Sequence, residues 1–244
     1  MSYLIEIATS DFVTTQSAVK GGADRIELCA NLAEGGTTPS AGTIRQCREA
    51  FDVLLYPIIR PRGGDFLYTP EEFEIMLHDV RLCREFGCDG VVIGMLDASG
   101  AIDLKQTARL VEAAYPLGVT FHRAFDRCSD PFKALEQLVE IGCERILTSG
   151  QQPGAPEGVG LIAELNRLAD HRIIIMPGSG VRVDNVRWLS EQTGCTELHS
   201  SLRRKTRSRM EFVHPGFASS EESYMNNAID EEEVRLLKKA LLNN

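Results

Sequence analysis

Short apolar runs and amphipathic stretches alternate along the chain, and the joints between them repeat one phrase. Gly22-Ala-Asp-Arg-Ile-Glu-Leu, Gly87-Cys-Asp-Gly-Val-Val-Ile-Gly, Gly142-Cys-Glu-Arg-Ile-Leu-Thr and Gly194-Cys-Thr-Glu-Leu-His each place a glycine, a small residue and a polar residue before an apolar run. The glycine suits a left-handed helix cap, and the run after it suits a buried parallel strand. Between the phrases lie further runs at Leu54 to Arg60, Gly118 to His122 and Arg172 to Met176, and Tyr3 to Ala8 opens the chain, which makes eight strands. Helix starts are marked by Thr69-Pro-Glu-Glu, by Asp130-Pro131 ahead of Phe132 to Ile141, and by Asp230 followed by three glutamates. Eight alternating units predict a single (β/α)8 barrel over residues 1–244. The alternative is an open doubly wound sheet, but no G-x-G-x-x-G follows the first strand. The stretch from Leu202 to Ile229 reads as a long loop after strand eight, ahead of a C-terminal helix.

Side chains alternate along a strand, so parity sorts those facing the helices from those facing the lumen. With Ile5, Ile7, Ile26, Leu28, Val119, Phe121 and Leu198 turned outward, five ionisable groups converge near the carboxyl rim: Glu6, Glu27, Arg60, His122 and His199. Barrel active sites are built at that rim. Two readings stay open, a wet catalytic or binding site and an internal ion-pair plug. The site reading expects Glu6, Glu27, Arg60 and His122 to be only partly buried. It also expects near-neutral stability on Glu27→Gln and His122→Asn.

Charge narrows the partners. A formal net charge of -9 disfavours binding to nucleic acid or a membrane surface, both anionic. No apolar run approaches a membrane span, and Met1-Ser-Tyr-Leu-Ile-Glu does not read as a signal peptide. Seven scattered cysteines without C-x-x-C fit reduced thiols in the cytoplasm.

Against that acidity, some loops are rich in anion-binding chemistry. Met176-Pro-Gly-Ser-Gly-Val, with Gly178 and Gly180, precedes a helix expected to begin at Asp184. The loop after strand eight, from Ser200, carries hydroxyls and five cations up to Arg209. Phosphates in barrels often sit at these two loops. After strand three, Arg60 and Arg62 could clamp an anion with Asp65 orienting one of them, or form a rigid rim. His122 suits proton transfer with Glu6 or Glu27 as its complement. Of the cysteines, only Cys29 falls at the rim, where a soft Cu(I) ion would need a second ligand. A harder ion on His122, His199 and Glu27 is the other metal option.

Gly22-Ala-Asp-Arg-Ile-Glu-Leu-Cys, Glu34-Gly-Gly-Thr-Thr-Pro-Ser, Arg60-Pro-Arg-Gly-Gly-Asp-Phe, Thr120-Phe-His-Arg-Ala-Phe-Asp, Arg145-Ile-Leu-Thr-Ser-Gly and Met176-Pro-Gly-Ser-Gly-Val closely resemble the CutC family of copper homeostasis proteins. The resemblance runs over nearly the whole chain. It implies a cytoplasmic (β/α)8 barrel, associated as a homodimer or higher homo-oligomer, with a copper-related role. Its rim motifs fall on Glu27, Cys29, Arg60, Arg62, Asp65, His122, Arg123, Asp126, Ser149, Gly178 and Gly180, with Cys29 best placed for copper. Three functions therefore stand: a rim site for a small anionic or phosphorylated ligand, direct Cu(I) handling at Cys29, and a non-catalytic scaffold.

Overall fold

The computed structural model describes residues 3–217 and 224–242. Eight parallel strands form the barrel wall: β1 (Leu4–Thr9), β2 (Arg25–Leu28), β3 (Leu54–Pro57), β4 (Gly90–Ile93), β5 (Gly118–Phe121), β6 (Arg145–Thr148), β7 (Ile174–Pro177) and β8 (Glu197–Ser200). The helices between and after them are α1 (Phe12–Lys20), α2 (Ala41–Ala50), α3 (Pro70–Glu85), α4 (Leu104–Ala114), α5 (Pro131–Glu140), α6 (Val159–Ala169), α7 (Val186–Thr193) and α8 (Glu231–Leu242). Ladders run β3-β2-β1-β8 and β4-β5-β6-β7. An Ile58–Val92 bridge joins the two arcs at one seam, and β7 packs against β8 at the other. The protein is a (β/α)8 barrel.

Local chemistry explains the elements. Gly22, Gly87, Gly142 and Gly194 all have positive φ, between 69° and 92°, so the repeated phrase does mark left-handed turns into strands. Thr69 and Glu72 close a capping box on α3, and Asp130 caps α5 ahead of Pro131. Ile5, Ile7, Ile26 and Leu28 pack outward into the helix layer, whereas Cys29, Tyr56, Ile58 and Val92 form a separate cluster. The predicted parity therefore holds.

Three sequence expectations need correction. The stretch 202–229 is not without regular structure: β9 (Arg203–Arg207) pairs antiparallel with β10 (Met225–Ile229). That hairpin has an exposed, strongly basic first strand, which no apolar pattern reveals. Helix α7 starts two residues later than expected, because Asn185 turns back to accept from Arg182 N and donate to Gly180 O. Strand β3 ends at Pro57, which puts Arg60 on the following loop.

Candidate functional site

The lumen is stacked in charged layers. At the lower level Arg25 donates to Glu6 and, at 2.6 Å, to Glu197, and Arg145 donates to the same Glu197 oxygen at 2.6 Å. The Tyr56 ring lies against both guanidiniums, 5.2 and 5.7 Å from its centroid. Gly90 makes room for it, since a Cβ there would meet the Tyr56 ring at 2.1 Å. Buried charges persist only when paired, and these are paired on every side. Glu6 belongs to this layer. Burial would raise its pKa, but Arg25 and a hydrogen bond from His199 outweigh burial and hold it at about 2.

His199 links this plug to the layer above. Its Nδ1 lies 2.7 Å from Glu6 Oε1 and its Nε2 lies 3.8 Å from Glu27 Oε2. Burial opposes its protonation, but the bond to Glu6 and the charge of Glu27 prevail and raise its pKa. Burial pushes the Glu27 carboxyl up to about 7, with the His199 charge opposing and the Glu6 charge adding. Near neutrality the Glu27 carboxyl is thus poised between its protonated and ionised forms.

Above the pair opens a cavity of about 450 Å³ at the carboxyl end of the strands, lined by Glu27, Arg60, His122, His199, Gly180 and Ser200 among others. Five arginines reach its wall: Arg60, Arg123, Arg127, Arg182 and Arg203. Three peptide carbonyls, of Glu34, Gly36 and Gly64, fix the Arg60 guanidinium at 2.8 Å each. Asp126 accepts from Arg123, Thr148 and Ser149, and so ties the end of β6 to a cavity arginine. Ser149 accepts in turn from Arg123 at 2.7 Å. Asp126 and Ser149 therefore position Arg123 and do not line the cavity themselves.

His122 differs from the base expected of it. Its Nδ1 accepts from the Ala124 N–H at 3.1 Å, so the ring lone pair is occupied and the neutral ring carries its proton on Nε2. That Nε2 is buried without a partner among the described residues. Burial, with the Arg60 charge, pushes its pKa down to about 3. His122 is a neutral hydrogen-bond donor in the cavity wall and cannot serve as its base.

Other expected residues fall elsewhere. Glu6, Glu27, Arg60 and His122 are only 0 to 5% exposed, so the expectation of partial burial is overturned; carbonyls of Glu34, Gly36 and Gly64 cover Arg60, and Phe66 packs on His122. Arg60 and Arg62 form no clamp: Arg62 is held by Glu72, Asp65 and the Leu67 carbonyl outside the cavity, so Asp65 orients it within a rigid rim. Gly178 lies behind the wall, where a Cβ would come within 2.4 Å of Leu147. Ser200 lines the cavity but donates its hydroxyl to the Val181 carbonyl. Sequence reasoning missed Arg145, Glu197's role in the plug, Arg127 and Arg182. Parity on strand six would have found Arg145, but nothing in the chain distinguishes the two loop arginines.

A barrel with a charged cavity at the carboxyl end of its strands defines the class of this protein. The fold is shared with phosphoribosyl anthranilate isomerase from Thermococcus kodakaraensis, with TM-score 0.58 over 99% of this chain and 100% of that one at 15% identity, a likeness of fold alone. The chain belongs to the CutC family, whose model matches residues 3–204. A CutC family protein of Chromobacterium violaceum is 45% identical over 99% of both chains. One from Parabacteroides distasonis is 53% identical over 87% of this chain and 88% of its own. The structure of CutC from Streptococcus agalactiae, a protein named for copper homeostasis, has TM-score 0.78 and 34% identity, covering 82% of this chain and 98% of that one.

The residues here do not fit a copper centre. Cys29 is buried, its thiol is pushed well up by burial and by the Glu27 charge, and its Sγ points to the Glu27 carbonyl at 3.9 Å. Cu(I) favours thiolates, and this thiol is held protonated. Among the described residues no three His, Cys, Asp or Glu side chains converge as a metal site, so the harder-ion option on His122, His199 and Glu27 is not met either. No described helix is long and apolar enough to cross a membrane.

Proposed function

We propose that this barrel binds a small anionic metabolite, phosphorylated or carboxylated, and performs acid–base chemistry on it, with Glu27 and His199 moving the proton. The observation that carries this reading is the contrast between cavity and protein. Five arginines line a cavity floored by a carboxyl poised near neutrality, in a chain of net charge -9. Positive charge converging on a concave site attracts anions. Perturbed acid–base groups beside such a cavity are a functional signature. Glu6 is a positioning residue: ionised and locked by Arg25, it keeps Nδ1 of His199 protonated and turns Nε2 toward Glu27. Handling of Cu(I), suggested by the name of the Streptococcus agalactiae relative, has no second thiolate to support it, and a scaffold has no use for a buried carboxyl poised near neutrality beneath the arginines.

Thermal unfolding with added inorganic phosphate tests the reading. At about ten times Kd, a ligand binding only the folded state stabilises by about 1.4 kcal/mol. For a chain of this size that raises Tm by about 3–6 °C. The gain should shrink in Arg182→Ala, where the lost side chain is exposed and folding is spared. No gain with phosphate, sulfate or a carboxylate would remove the proposal.

A further inference from the structure

We propose that the reaction is a proton transfer between a carbonyl carbon and its hydroxyl-bearing neighbour, with Glu27 moving the proton and His122 Nε2–H holding the carbonyl oxygen, on an anionic hydroxyaldehyde or hydroxyketone. This rests on the anion-binding reading above and names the substrate class for the same cavity.

A buried N–H without a partner is unfavourable unless a ligand oxygen completes it. His122 Nε2 is such a group, on a side chain only 4% exposed that lines the cavity. The ring cannot turn away from this task. Ala124 N–H holds Nδ1, Phe66 packs at 5.0 Å between ring centroids, and a Cβ on Gly94 would approach the imidazole to 2.3 Å, so the backbone closes off its far side. A fixed neutral donor beside the Arg60 cation suits an oxygen that gains negative charge during reaction.

Glu27 has complementary properties. It stands on β2, three strands around the barrel from the β5 terminus that carries His122, so a small molecule fits between them. Unlike Glu6, it has no short ion pair; the nearest cationic nitrogen is His199 Nε2 at 3.8 Å. A carboxylate so loosely held, with its pKa brought near the working pH, is an effective general base. In the step, Glu27 takes the proton from the carbon next to the carbonyl. The C–H electron pair becomes the C=C bond of an enediolate, and the C=O π pair moves onto the oxygen held by His122. Glu27 returns the proton to the neighbouring carbon, and a hydroxyl proton shifts between the two oxygens. The product is an isomer, and no oxidant or reductant takes part.

The test compares two phosphates of equal length by calorimetric titration. Glycolohydroxamate phosphate is a planar enediolate mimic, and glycerol 3-phosphate lacks the trigonal oxygen. The mimic should bind at least about a hundredfold tighter. That advantage should collapse in His122→Ala, and partly return in His122→Gln, which restores a donor, while inorganic phosphate binds all three alike. In the wild-type protein, nitrogen NMR should show His122 neutral with its proton on Nε2 from pH 5 to 8, and that proton should move downfield with the mimic. Equal affinity for the two phosphates, an advantage that survives in His122→Ala, or an imidazolium at pH 6 would overturn the proposal. Phosphate binding with no preference for the mimic rejects this inference alone, whereas failure of phosphate itself rejects the anion reading beneath it.

Discussion

Glu6 and Glu27 sit on adjacent strands of one lumen, yet their neighbours push their acidities in opposite directions. Glu6 faces Arg25 and is held at about 2, whereas burial lifts Glu27 to about 7 against the His199 charge 3.8 Å away. The first is locked into the plug, and the second is the group to which the proposed function gives the proton. Glu6→Gln leaves Arg25 with only Glu197, which it already shares with Arg145, and should cost about 3–5 kcal/mol in denaturant unfolding. Glu27→Gln should be near neutral, and stabilising above pH 7, where the wild-type carboxyl must ionise without a close partner. Equal losses in the two variants would show that Glu27 is also part of the plug. The alternation of strand residues exposed both glutamates in the sequence. Their difference was not legible there, because it depends on Arg25 reaching across from the next strand and on the height of His199 between them.

At the level of elements, the β9–β10 hairpin shows how a run of cations divides into separate roles. Arg203 reaches the cavity and donates to the Leu32 carbonyl at 2.6 Å, while Arg204 turns to Asp230 and Glu233 on the start of α8. The chain reads Arg-Arg-Lys without a sign of this, since successive strand residues face opposite ways only once the strand has a partner. Arg203→Ala should weaken phosphate binding several-fold in titration. Arg204→Ala should leave binding unchanged and cost no more than about 1 kcal/mol, as an exposed ion pair. Weaker phosphate binding in Arg204→Ala than in Arg203→Ala would contradict this division. The helix caps, by contrast, were plain in the sequence, because a cap is a contact between residues three apart.

For the whole molecule the buried groups set a pH window for stability. His122 drops from 6.5 to about 3 on folding, so stability is lost as pH falls from 6.5 toward 3. Glu6 drops from 4.5 to about 2, and its contribution is lost as pH falls through that range. Glu27 rises from 4.5 to about 7, so its stabilising effect is complete below 4.5 and is lost as pH climbs through 7. His199 is also raised, and adds to the loss on the alkaline side. Thermal unfolding should therefore be highest in mildly acidic to neutral buffer and decline on both sides. Glu27→Gln should remove the loss between pH 4.5 and 7 and leave the acid loss due to His122 and Glu6. A Tm that climbs steadily to pH 9 would show that these groups are not buried as described.

Sequence by itself determined the order of strands and helices, the left-handed glycines that join them, the lumen-facing parity and the family. These follow from contacts between near neighbours and from a two-residue period, which the chain records directly. Tertiary structure alone decided which lumen charges lock together and which stay available, that His122 donates where a base was expected, that Arg62 stays at the rim, and which loop arginines reach the cavity. Each of those outcomes depends on groups brought together from different strands and loops, and burial then fixes their protonation through the partners they meet there.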